Sequence, residues 1–262
     1  MTGLLAITLT GMLAAPATAI TMGDGAVDGR RIEPYDLEWR QCSLQDGAWV
    51  DLGPLRESAV EIGEVALRVR QETTRPDGGQ VIATTYFDRT SLSPLRIEQN
   101  VTTATGEPVA RAEFALGPDG YEGMARRGGK SQQRSGAITR NMYQGAALGL
   151  PLATLDPSKA PFIFDASMMG FNATYRVEAT LAGTETLRYR GEAVEVVLID
   201  LRWEHNEIGD VYPPGPDASG GRFWIAQSPP EGFPYVPKYK TDSYAVEFIA
   251  DTCAVSDEAQ SE

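Results

Sequence analysis

Between residues 34 and 250, apolar and polar side chains alternate at every second position along much of the chain. Val65, Leu67 and Val69 interleave with Ala66, Arg68 and Arg70. Ala112, Phe114 and Leu116 interleave with Arg111, Glu113 and Ala115. The same rhythm recurs at Tyr175, Val177, Ala179 and Leu181, and at Tyr244, Val246 and Phe248. A period of two places one side of a strand in a core and the other in water. Val194 to Leu201 is more continuously apolar, which predicts a central strand covered on both faces. Pro76-Asp77-Gly78-Gly79, Gly117-Pro118-Asp119-Gly120 and Ala182-Gly183 stand between such runs and supply the backbone angles of tight turns. Strands joined in order by hairpins predict a mainly β fold, an antiparallel meander rather than a βαβ wind.

One segment follows another period. From Arg140 to Leu150, the residues Met142, Tyr143, Ala146, Ala147 and Leu150 recur at spacings of three and four. That is a helical face, with Asn141 placed to cap its start and Pro151 to end it. Ser167-Met168-Met169 reads as a short second helical turn. A lone apolar helix amid a meander is expected on the concave face of a curved, half-barrel-like sheet, because that face must be covered. Gly209–Gly221 is a long loop rich in Pro, Gly and Asp. Ser228–Lys240 is a second, with Phe233, Tyr235 and Tyr239 set among Pro229, Pro230, Pro234 and Pro237. Loops of this length are uncommon and often functional.

The ends of the chain differ from its middle. No charged side chain occurs before Asp24, Leu4–Leu13 is largely apolar, and Ala17-Thr18-Ala19 fits the small-residue pattern of a cleavage site. The apolar run is short for a membrane span of about 20 residues. Residues 1–19 therefore read as a cleaved export signal, although no Lys or Arg precedes the apolar run. With no Cys before Cys42, no lipid-attachment cysteine stands at that site. Residues 20–33 read as a flexible lead, 34–253 as a single β domain, and 254–262 as an acidic disordered tail. The expected location is the periplasm, and no later segment reads as membrane-spanning.

Charge and cysteine content narrow the chemistry. The net charge of −13 disfavours nucleic acid and anionic membrane surfaces. Cys42 and Cys253 are an even pair, and in an oxidising compartment they predict one disulfide tying the start of the domain to its end. The chain's one histidine, His205, lies between Glu204 and Asn206. A Ser-His-Asp site would have to use it, but neither a G-x-S-x-G elbow nor an S-x-x-K motif is present. His205 reads as a surface histidine beside carboxylates. Asp24 and Asp28 lack the spacing of a calcium loop. No zinc set, phosphate loop or dinucleotide fingerprint occurs, and no cofactor is implied. A glycosidase-type pair of carboxylates is defined by spatial separation, which the sequence leaves open.

The block Tyr86-Phe87-Asp88-Arg89-Thr90-Ser91-Leu92-Ser93-Pro94-Leu95 resembles an element of a bacterial envelope family, domain of unknown function 3108. Gly191-Glu192-Ala193-Val194-Glu195-Val196, Phe223-Trp224-Ile225 and Tyr235-Val236-Pro237 are similar to later parts of it. The resemblance implies an exported curved sheet around a helix, similar to periplasmic lipoprotein carriers, and carries no catalytic residues. The Pro-rich insertion at 211–217 departs from the pattern.

Two principal readings follow. In the first, the space between sheet and helix holds a hydrophobic or lipid component of the envelope, with Met142, Tyr143 and Leu150 facing the cavity and Phe233, Tyr235 and Tyr239 on its loop. A packed core with the helix as a plug is the alternative for that space. In the second, the chain is a structural or interaction module that docks another envelope protein through Phe233–Tyr239. A hydrolase built on His205 or paired carboxylates is the third and least supported.

Overall fold

The alternating runs become strands of one sheet. The computed structural model describes residues 17–21, 23–138, 142–144, 147–168, 173–206, 220–248 and 253. The apolar run Leu4–Leu13, Asn141, Ala146, Met169, the insertion at 211–217 and the tail 254–262 lie outside the described residues. The first half of the sheet is built from β1 (Thr18–Ala19), β2 (Tyr35–Gln45), β3 (Ala48–Ile62), β4 (Ala66–Thr74), β5 (Gln80–Asp88), β6 (Pro94–Thr102), β7 (Pro108–Leu116), β8 (Gly120–Arg127) and β9 (Lys130–Ala137). The second half comprises β10 (Met142–Gln144), β11 (Phe162–Met168), β12 (Ala173–Tyr189), β13 (Glu192–Asn206), β14 (Gly221–Ile225), β15 (Lys238–Lys240) and β16 (Tyr244–Glu247).

Strands β2 to β9 lie side by side in chain order, and so do β11 to β16. The two meanders join where β16 pairs antiparallel with β2. Along the outer side of β11, β1 and β10 pair in parallel, at Phe162–Ile163 and at Asp165–Ser167. β9 forms the opposite edge, so the sheet is not closed into a barrel. This is the mainly β meander that the alternation predicts.

The helix differs from expectation. It is α1 (Gly149–Thr154), one short and fully buried segment that starts where the predicted helix was to end. Pro151 lies inside its first turn, where a missing N–H costs nothing because it would have no intrahelical partner. Met142–Gln144 is strand. The free edge of β11 offers backbone groups that need partners, and β10 supplies them. Met142 packs with Ile97, Phe114 and Ile138, whereas Tyr143 joins the main core and meets Phe164 edge-on at 5.9 Å. Adjacent apolar residues buried on opposite sides of a strand mimic part of a helical face. Ser167 and Met168 likewise belong to β11 rather than to a helical turn.

Ala182-Gly183 is not a turn. β12 continues through it to Tyr189, and the register against β13 shifts between Leu181 and Gly183. Gly183 takes φ +148°, an angle that suits a glycine bulge. Beside the bulge Leu181 is exposed, although the alternation aims it inward. The two-sided reading of Val194–Leu201 holds. Ile199 and Leu201 enter the main core, while Val194 and Val196 pack on the other face with Trp224 and Phe233.

The segment before β2 is fastened to the sheet. Ile20, Val27 and Ile32 are buried in the main core. The buried Arg89 guanidinium donates to the carbonyls of Gly29 and Arg30 and pairs with Glu61 at 2.7 Å. Leu92 reaches the core from a turn at φ +52°, held by Asp88, whose carboxylate accepts from Thr90 N and from Ser91 N and Oγ.

Candidate functional site: a cavity with an aromatic flank and a polar row

Cross-strand register sorts the concave face of β3 to β7 into layers. Ala59, Val69, Thr85, Ile97 and Phe114 lie opposite one another in sequence along the strands, and all are buried. Two residues further along each strand, on the same face, is the row Glu57, Gln71, Ala83, Gln99 and Ala112. Beyond it lies Leu55, Thr73, Val81 and Val101. The first layer belongs to the cores under α1 and β10. From the next two, Glu57, Gln71, Ala83 and Gln99, with Leu55, Thr73 and Val81, line a cavity of about 820 Å³.

The opposite flank comes from the second meander. Tyr175 on β12, Trp203 on β13, Phe223 on β14, Tyr239 on β15 and Tyr244 on β16 line it, with Trp39 of β2 between the flanks. Tyr175 and Trp203 meet edge-on at 5.6 Å, and Phe223 stacks on Tyr239 at 4.4 Å. Ala147, Gly149 and Leu150 at the start of α1 close one end. A Cβ on Gly149 would stand 2.6 Å from Val236 Cγ2 and 3.2 Å from Phe223 Cε1, so glycine allows α1 to approach the aromatic flank.

The polar row is hydrogen-bonded. Tyr35 Oη donates to Glu57 Oε1 at 2.6 Å, and Gln71 Nε2 donates to Glu57 Oε2 at 2.5 Å. Gln41 Nε2 donates to Thr73 Oγ1 at 3.0 Å, and Tyr244 Oη donates to Gln41 Oε1 at 2.9 Å. Desolvation raises the Glu57 pKa above the usual carboxylate value, against the lowering effect of its Tyr35 and Gln71 hydrogen bonds. Desolvation, and then the neighbouring Glu57, push the Tyr35 hydroxyl well above the usual phenol value. Burial moves Tyr239 and Tyr244 up to about 12. No Lys, Arg or His is among the described residues that line the cavity.

Of the residues singled out from sequence, Leu150 and Tyr239 line this cavity. Met142 and Tyr143 are buried in separate clusters, Met142 beside β6 and β7 and Tyr143 in the main core. Phe233 packs on the outer face with Val194, Val196 and Trp224. Tyr235 is buried in the main core, where its hydroxyl donates to Arg31 O and accepts from Glu33 N. These two aromatics fasten the Pro-rich loop to the sheet. Cys42 and Cys253 form a disulfide with Cα atoms 5.7 Å apart. The backbone of His205 pairs with Tyr175 across β12 and β13, and its side chain lies outside the described residues. Asp24 accepts from Thr21 N and Ala26 N, and Asp28 pairs with Arg30. Among the described residues no group of three metal-ligating side chains occurs, and no helix is long and apolar enough to cross a membrane.

Glu57, Gln71 and Gln99 were not anticipated. Their signal is a change of polarity at constant parity. In β4 the inward positions run Leu67, Val69, Gln71, Thr73, from apolar to polar on one face.

No protein-family model matches the chain, so the resemblance to domain of unknown function 3108 assigns no family. No curated protein matches it. Among solved structures, the chain is similar to the hypothetical lipoprotein YmcC from Escherichia coli (K12), at 10% identity and a TM-score of 0.28, over 87% of this chain and 91% of that one.

Proposed function

We propose that this chain is an exported, non-enzymatic protein that binds a hydrophobic small molecule in the concave cavity. The cavity itself carries the reading. Its volume of about 820 Å³ falls within the roughly 300–1,000 Å³ of small-molecule sites. Its walls are mostly aromatic and aliphatic, with a few convergent polar groups, the composition such sites have. A core filled by α1 alone would leave no such space. Export is supported by the signal-like residues 1–19 and by the Cys42–Cys253 bridge, a bond that persists in oxidising compartments.

Native mass spectrometry of protein purified from the periplasm without detergent tests both parts. The expected chain begins at Ile20, having lost the two-residue β1 with the signal, and carries, or takes up, one hydrophobic molecule. Ala83→Trp, which fills the cavity floor, is expected to lose that uptake while retaining its unfolding transition. A wild-type chain that takes up no hydrophobe would remove the binding reading.

A further inference from the structure

The cavity combines three features that select among hydrophobic ligands by their head group. First, its charge is one-sided. Glu57 and, at the rim, Asp242 are its acids, and no basic side chain lines it among the described residues. A carboxylate or phosphate head would enter beside Glu57 with no counter-charge from the described lining residues, which is unfavourable. Second, Glu57 has no ion-pair partner among the described residues. Its hydrogen bonds come from the neutral Tyr35 and Gln71, at 2.6 and 2.5 Å. Arg56 and Arg70, its nearest basic neighbours along β3 and β4, pair instead with Asp36 and Glu72 on the other face. Third, the flank opposite the polar row is aromatic. Trp39, Tyr175, Trp203, Phe223, Tyr239 and Tyr244 line the same space. Aromatic faces attract cations, most strongly where water is excluded.

A carboxylate without a counter-ion among the described residues, opposite an aromatic flank and with no basic group among the described lining residues, is complementary to an organic cation. We infer that the preferred occupant is a long-chain amphiphile with an ammonium head, its head at the Glu57–Gln71 row and its chain toward Leu150 and Val236. The inference rests on the proposed binding function and sharpens it. The ammonium supplies the positive charge that Glu57 lacks. Desolvation raises the Glu57 pKa, and a bound cation would act in the opposite direction by stabilising the carboxylate.

Three dodecyl probes that differ only in the head separate this inference from the reading beneath it. Dodecylammonium, dodecanol and dodecanoate are titrated into the full chain at pH 8, each below its micelle-forming concentration. Binding is followed by tryptophan fluorescence and checked by calorimetry. Dodecylammonium is expected to bind at least tenfold more tightly than dodecanoate, with dodecanol between them. Glu57→Gln should reduce the tenfold ratio to about threefold or less while dodecanol binding persists. Gln99→Lys is a second variant at a half-buried position, and it should shift preference toward dodecanoate. Dodecanoate binding as tightly as dodecylammonium would overturn the head-group inference and leave the hydrophobe site standing. Dodecanol binding more tightly than dodecylammonium would do the same. Failure of all three probes to bind would overturn the site itself.

Discussion

Glu57 is the residue where fold and proposed function conflict. It occupies an inward position of β3, between Leu55 and Ala59, where an apolar side chain would pack without cost. Desolvation raises its folded pKa. The folded chain therefore holds this proton more tightly than the unfolded chain. Stability then falls as pH rises from the ordinary carboxylate range through the raised folded value, and the loss is complete above it. Glu57→Gln removes that slope. In urea unfolding between about pH 4 and about pH 8, the variant's midpoint is expected to gain on the wild type as pH rises. Parallel curves would show that Glu57 is well solvated in the fold. Arg89 is the converse case, a buried charge whose partners are complete. Arg89→Ala strands the Gly29 and Arg30 carbonyls and should cost about 2–4 kcal/mol in the same measurement. Neither role is visible in composition. Arg89 sits in an Asp-Arg-Thr-Ser turn, and its buried role depends on the N-terminal segment laid across it.

Strands were legible where one parity is apolar, as in β4, β7 and β12. The elements misread are those in which two physical causes produce the same letters. Gly183 marks a bulge as well as it marks a turn, and pairing with β13 decides between them. A valine there would have to hold φ +148°, so Gly183→Val is expected to lower stability by about 1–3 kcal/mol, read as a shift in thermal midpoint. Met142 and Tyr143 have helical spacing to Ala147 and Leu150, but the unpaired side of β11 captures them as β10. That pairing buries the Tyr143 hydroxyl without a hydrogen-bond partner among the described residues. Tyr143→Phe is therefore expected to be neutral or stabilising, by up to about 1–3 kcal/mol. A clear loss of stability would mean that the hydroxyl has a partner.

At the scale of the whole molecule, two of the links between the two meanders stand side by side. One is the β16–β2 ladder, and the other is the disulfide beside it, which links Cys42 of β2 to Cys253 across 211 residues. Closing so long a loop is worth about 5 kcal/mol in the chain-entropy estimate, as an upper value. Reduction under otherwise native conditions is expected to lower the unfolding midpoint markedly. The disulfide was legible because two cysteines in an exported chain have one pairing available. The cavity was not. It arises from the curvature that brings Trp203 and Phe223 of one meander opposite Gln71 and Gln99 of the other, and no local pattern encodes that meeting.

The central claim is that this space is a ligand site rather than an accident of packing. Titration with the neutral dye N-phenyl-1-naphthylamine tests it most directly. The expected result is a saturable one-to-one fluorescence rise in the wild type that Ala83→Trp abolishes without changing the unfolding transition. Absence of saturable binding, or equal binding by Ala83→Trp, would contradict it.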